Sequence, residues 1–305
     1  MTEIRERPVW RSLLYVPANV PRFVDKAHTR GADAIIIDLE DSVIPAEKAT
    51  ARKLIPEVAA KVGRAGADVL VRINRPWRLA VADLEAVVSA EVDALVLPKV
   101  ADAGHVKAIA EVVDELEAER GLTPGHTRFF ALVETADALF KLREIAGAHP
   151  RLVALSLGSE DFALDVGMAP EPDGLFQPTM DSVFAARAAG ILPLGFIGSL
   201  AQYGDIEAFR ALIERSRKLG FDGASCIHPA QVPVLNEGYG VAADEVAHAE
   251  RVIAAFAKAQ AEGRGSFQLD GRMIDIPIVV RAERLLARHR AIQAREAKAQ
   301  AARAQ

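Results

Sequence analysis

Short apolar runs alternate with longer stretches of helical periodicity along almost the whole chain. The runs fall at 12–18, 34–40, 68–74, 94–100, 128–135, 152–158, 192–198 and 223–229, most of them rich in Val, Ile and Leu. A run of that length with little polar alternation is the pattern of a strand buried on both faces. Between the runs, helical patterns occupy 22–29, 47–62, 82–89, 103–119, 138–146, 180–189 and 205–219, and another extends from the last run to about 259. Strand–helix repetition predicts a parallel sheet covered by helices. Eight repeats select a closed (β/α)8 TIM barrel, an α/β fold, over an open doubly wound sheet. No G-x-G-x-x-G opens a helix, which removes support for a dinucleotide fold.

The chain beyond the eighth repeat does not fit the count. Residues 263–271 read as a linker or small hairpin, 272–277 lead into a last helix near 279–292, and the tail from 291 to 305 is expected to fray. The expected organisation is a barrel domain over 1–260 and a C-terminal helical extension over 261–305. An appendage to a complete barrel has few places to bury its apolar face, so it is expected to pack on the barrel bottom or, the option favoured here, on a neighbouring subunit. A length of 305 residues suits one such barrel. The net charge of −5, without a sustained basic patch, argues against a nucleic-acid partner. A single cysteine, Cys226, precludes an intramolecular disulfide and suits a reducing cytoplasm. No apolar stretch approaches the roughly 18 residues of a membrane span, and the charged start of the chain does not read as a secretory signal. The expectation is a cytoplasmic protein with no membrane association.

Candidate chemistry gathers where the apolar runs end. Asp38, Glu40 and Asp41 stand at the end of the second run, Arg72 and Asn74 at the third, Lys99 at the fourth, Glu134 at the fifth, Glu160 and Asp161 at the sixth, and His228 at the eighth. Each alone has a bland explanation: a helix cap, a surface acid, an ion pair. In a barrel, however, all these positions share the C-terminal rim, where such folds carry their sites. Buried charge is costly without partners, so a ring of it implies a polar site with a ligand or metal. Glu134 and Asp161, converging from successive strand ends, are a candidate pair for one hard divalent cation, Mg²⁺.

The segments Arg11-Ser-Leu-Leu-Tyr-Val-Pro17, Ile37-Asp-Leu-Glu-Asp41, Val71-Arg-Ile-Asn74, Leu97-Pro-Lys99, Glu134-Thr135, Gly158-Ser-Glu-Asp161, Ile227-His-Pro229 and Met273-Ile-Asp275 resemble, in order, the citrate lyase β-subunit-like acyl-CoA lyases of the HpcH/HpaI aldolase superfamily. That group includes malyl-CoA and citramalyl-CoA lyases. The resemblance spans about 11–290 and implies a Mg²⁺-dependent carbon–carbon lyase acting on a β-hydroxyacyl-CoA, releasing an α-keto acid such as pyruvate or glyoxylate together with acetyl-CoA. It implies Glu134 and Asp161 as metal ligands and Arg72 as substrate-binding and catalytic. It also implies Asp275 as a catalytic acid reaching an adjacent subunit's site in a homo-oligomer, a trimer or hexamer. Glu40 and Asp41 are expected to share in catalysis. Glu134, Gly158, Ser159 and Glu160 are expected to contact substrate, with backbone N–H groups of 158–161 binding a carboxylate. Arg22 and Lys26, four residues apart on the first helix, match basic positions used for the CoA nucleotide. Two alternatives stand beside this: a β-subunit acting on a citryl thioester of an acyl carrier protein, and a CoA-independent class II pyruvate aldolase. The second commonly has a His where this chain has Asp41.

Overall fold

The computed structural model describes residues 7–199, 205–263 and 265–304. The start of the charged N-terminal segment, Arg264 of the predicted linker and the last residue lie outside the described residues. The chain divides into two compact units, one comprising the residues up to Tyr239 together with those from Ala302 on, and one comprising Gly240–Ala301.

The first unit is the barrel. Its strands are β1 (Ser12–Pro17), β2 (Ala34–Asp38), β3 (Asp68–Arg72), β4 (Ala94–Leu97), β5 (Arg128–Val133), β6 (Leu152–Leu157), β7 (Leu192–Pro193) and β8 (Ala224–Cys226). All pair in parallel, in the order β7-β6-β5-β4-β3-β2-β1-β8. The remaining seam is closed by a parallel bridge between Leu194 and Gly223, with the Gly195 N–H donating to the Gly223 carbonyl at 2.8 Å. A Cβ at Gly223 would lie 1.7 Å from the Trp10 carbonyl oxygen, so the seam passes too close to the chain entering β1 for any side chain there.

The helices of this unit are α1 (Pro21–Ala27), α2 (Lys48–Gly63), α3 (Trp77–Val87), α4 (Ala103–Glu119), α5 (Ala136–Leu139), α6 (Leu142–Ala146), α7 (Ser159–Val166), α8 (Pro172–Ala189), α9 (Ile206–Leu219) and α10 (Gln231–Gly238). Strand alternation sorts the core into two layers. Leu14, Val16, Ile35, Ile37, Val69 and Val71 face outward into the helix layer, while Leu13, Ile36, Leu70, Val96, Phe130 and Leu132 fill the barrel itself.

Three sequence expectations differ from the structure. The last two strands are shorter than their apolar runs, because Pro193 has no N–H to donate and the Gln231 carboxamide captures the N–H groups of Ile227 and His228. The stretch after the sixth run, where the pattern predicts no helix before 180, begins at once with α7, which carries acidic residues in its first turn and ends on left-handed Gly167. The expected fraying of the tail does not occur.

The second unit contains α11 (Ala243–Ala261), a hairpin of β9 (Phe267–Leu269) and β10 (Arg272–Ile274), and α12 (Ile276–Arg303). Ala249, Val252, Ile274, Val279 and Ala282 form its core, so the helical pattern to about 259 packs with the hairpin and last helix. The Ala-, Arg-, Lys- and Gln-rich tail has high helix propensity, and α12 continues on it to Arg303 with Ile292 buried.

Candidate active site

The barrel's period of two carries each strand from core filler to chemistry in one step. Two residues beyond Ile36, Leu70 and Leu132 of the interior layer stand Asp38, Arg72 and Glu134. Asp38 and Arg72 are direct partners in the β2–β3 register, so their side chains meet. Arg72 Nε donates to Asp38 Oδ1 at 2.8 Å and Nη2 donates to Oδ2 at 2.7 Å. Nη1 lies 3.0 Å from Glu40 Oε2 and 3.5 Å from Asp41 Oδ2, and the guanidinium carbon sits 4.9 Å from the centre of the Tyr15 ring. Asp38 also accepts the Glu40 and Ser42 N–H groups, which folds the β2–α2 turn back over the strand end. Burial opposes ionisation of Asp38, but the bonds and charge of Arg72 win and hold its carboxyl below the ordinary range.

Beside this pair, Lys99 occupies the left-handed region with φ 47°. Its backbone N–H donates to Glu134 Oε2 at 2.5 Å, while its ammonium lies 3.1 Å from Glu40 Oε1 and 3.5 Å from Asp161 Oδ1. Arg75 Nε donates to the Lys99 carbonyl at 3.1 Å and secures this turn. Glu134 is 4% exposed. Burial first, then the nearby charges of Glu40 and Asp161, push its carboxyl up to about 7 despite the Lys99 N–H. Gly158 is required next to it: a Cβ there would sit 2.5 Å from Glu134 Cγ and Oε1.

The helix α7 starts directly at the end of β6 with Gly158 as its N-cap and no side-chain cap bond. Its first-turn N–H groups therefore lack the side-chain acceptor that usually takes one of them. Glu160 Oε1 accepts the Ser199 hydroxyl. A cavity of about 820 Å³ opens at this rim, and Asp41, Arg72, Glu134, Gly158, Ser159, Glu160 and Asp161 all line it. Glu40 stands behind Arg72 and Lys99, 7% exposed and off the wall. Arg22 and Lys26 are exposed on α1, and the wall on that side is made by Phe23, Ala27 and Arg30. Asp275 belongs to the second unit, where its carbonyl accepts the Ile278 and Val279 N–H groups at the start of α12. Tyr15, Ser156 and Phe196 also line the cavity, although sequence reasoning did not single them out. Alternation along β1 from Leu13 was the available signal for Tyr15.

The donor set suits a hard cation. Among the described residues, no three His, Cys, Asp or Glu side chains converge into a complete metal cage. Glu134 and Asp161 offer only oxygen donors from the cavity wall, and carboxylates around Arg72 and Lys99 outnumber these two cations. Mg²⁺ needs only one or two protein carboxylates, completing its shell with water and substrate oxygens.

The chain is similar to known proteins over most of its length. Residues 11–229 match the family described as HpcH/HpaI aldolase/citrate lyase. The chain is 35% identical over 281 residues to the citrate lyase subunit beta of Leuconostoc mesenteroides subsp. cremoris, covering 90% of this chain and 92% of that protein. It is 36% identical over 290 residues to a (3S)-malyl-CoA thioesterase of Cereibacter sphaeroides, covering 93% and 96%. Among solved structures, it is similar to the CitE protein of Mycobacterium tuberculosis in complex with magnesium, acetoacetate and coenzyme A, with a TM-score of 0.72, 30% identity, and 93% and 99% of the two chains covered. The barrel, its charged rim and these likenesses together make the chain a member of the HpcH/HpaI aldolase/citrate lyase family.

Proposed function

We propose that the protein is a Mg²⁺-dependent carbon–carbon lyase that cleaves, or in reverse forms, a β-hydroxyacyl-CoA such as malyl-CoA or citramalyl-CoA. The observation that carries this reading is Glu134, a buried carboxylate held against Gly158 and raised to about 7, sharing a cavity wall with Asp161 and Arg72. Glu134 and Asp161 would hold the metal; when bound, it supplies Lewis-acid polarisation of the oxygen that becomes the keto group.

In the cleavage direction the β-hydroxyl loses its proton as the bond to the thioester α-carbon breaks. The products are an α-keto acid and a thioester enolate, which takes a proton at the α-carbon. Arg72, fixed in the plane set by Asp38, has Nη hydrogens left to meet developing oxyanion charge without reorganising. Asp38, Glu40 and Lys99 act by holding Arg72 and the metal-site acids in place. The first-turn N–H groups of α7 are placed for the carboxylate of the keto-acid half. Arg22, Lys26 and Arg30 on the α1 side offer cations to the CoA phosphates. Asp275 would return the proton to the enolate from a neighbouring subunit of a homotrimer or hexamer, with the barrel and the C-terminal extension as the two working domains. Asp41, half-exposed on the wall near Arg72, is placed to share proton transfer.

A panel of β-hydroxyacyl-CoAs tests the proposal when free keto acid and free CoA thiol are measured together. A lyase releases keto acid and leaves the thioester intact as acetyl-CoA. Thiol release without keto acid would establish thioester hydrolysis instead, the activity in the name of the Cereibacter relative.

A further inference from the structure

We propose that the Tyr15 hydroxyl is a substrate-binding group, donating a hydrogen bond to an anionic or carbonyl oxygen of the small-acid end of the substrate and so setting preference at the bottom of the cavity. This deepens the lyase reading and rests on it. Tyr15 points into the barrel, where its ring packs on the interior layer and lies beneath the Arg72 guanidinium. Packing alone would be served by phenylalanine, because the ring supplies the apolar area and the stacking surface.

The hydroxyl has no hydrogen-bond partner among the described residues. It is also absent from the buried polar atoms that lack partners, and the residue lines the cavity. Its partner is therefore whatever occupies the cavity. The hydroxyl is open to the cavity, where a bound substrate oxygen can take the place of water as its acceptor.

Arg72 increases the need for this donor. Two of its N–H groups are spent on Asp38 and Nη1 is ion-paired to Glu40, so a second donor beside it supplements the Nη hydrogens that remain for a bound anion. A neutral donor next to it adds a hydrogen bond without adding charge to an already crowded rim. Burial, and the charges of Asp38, Glu134 and Glu40, hold the phenol well above its ordinary range, so it stays protonated and acts as a donor, not a base.

Tyr15→Phe removes this oxygen alone. Because the hydroxyl bonds nothing among the described residues, the variant should keep the wild-type melting temperature. In the presence of Mg²⁺, calorimetric titration with glyoxylate, pyruvate and oxaloacetate should show affinity for the best-bound acid reduced roughly 10- to 100-fold, the effect of one hydrogen bond to a charged group. Affinity for CoA alone should be unchanged. Equal keto-acid binding by wild type and Tyr15→Phe overturns the assignment of Tyr15 while leaving the lyase reading standing, as does a lowered melting temperature with equal binding. Failure of the wild type to bind any of the three acids overturns both.

Discussion

The two ends of the barrel use the same residue types to opposite effect. At the N-terminal end, Arg11 bonds both oxygens of Asp33 through Nε and Nη2, at 2.8 and 3.0 Å, and its backbone N–H adds a third bond. Nearby, Arg151 meets Glu117 and Asp114, and Glu117 also accepts the N–H groups of Gly125 and Thr127. These carboxylates are matched by donors. Although burial opposes it, the Arg151 and backbone bonds hold the Glu117 carboxyl down to about 2. At the C-terminal rim, carboxylates exceed donors, and beyond the Asp38–Arg72 pair burial prevails: Glu134 rises to about 7 and Glu40 is also raised. A matched cluster stabilises the fold, whereas a surplus of acid is a place for a cation and an anionic substrate to complete.

The contrast is most directly broken by substitution. Glu134→Ala or Asp161→Ala should lower Mg²⁺-dependent turnover about 1,000-fold or more, as expected from losing several kcal/mol of Lewis-acid stabilisation, while thermal unfolding shows the fold intact. Arg72→Lys should lose about 100- to 1,000-fold in kcat, because an ammonium cannot hold Asp38 in two-pronged geometry and face the oxyanion as well. Near-normal kinetics in Arg72→Lys would reduce it to an ion-pair partner. Arg151→Ala should do the reverse. It strands Glu117 and costs roughly 3–5 kcal/mol of stability, read by denaturant unfolding, with kcat per folded molecule unchanged.

The two ends should also respond to pH with opposite sign. Glu117 has a depressed carboxyl in the folded state, so its contribution is present above the unfolded value near 4.5 and is lost as pH falls toward 2. At most about 3 kcal/mol is involved, and Glu117→Gln should flatten this acid limb. Glu134 has the opposite sign. In metal-free protein its raised carboxyl makes ionisation unfavourable, so stability should fall as pH rises from about 4.5 through 7. Glu134→Gln in EDTA should remove that decline. Wild-type-minus-variant differences in stability that change with pH in the same direction for both substitutions would contradict the distinction between the ends.

The fold was legible because eight buried runs left little choice of architecture, and strand alternation then placed Asp38, Arg72 and Glu134 at one rim. The ion pairs were less so. That Asp38 would clamp Arg72 depends on the β2–β3 register, and that Glu40 would sit behind the wall depends on the turn Asp38 caps. Helix α7 was missed because its short amphipathic stretch adjoins a strand without a connecting loop. The persistence of α12 was missed because the weak apolar stripe was weighed above the helix propensity of Ala, Arg, Lys and Gln. Tyr15 escaped notice because one hydroxyl on an otherwise apolar strand carries no pattern until its neighbours across the barrel are known.

The metal role proposed for the surplus acids of the C-terminal rim can be measured apart from catalysis. Mg²⁺ titration calorimetry at pH 6.5, run in buffers of different ionisation enthalpy with wild type and Glu134→Gln, tests it without reference to turnover. Since Glu134 is raised to about 7 without metal, binding to the wild type should release a large fraction of one proton. The variant should release none and bind far more weakly. Absence of Mg²⁺ binding, or binding and proton release identical in the two proteins, would contradict the account.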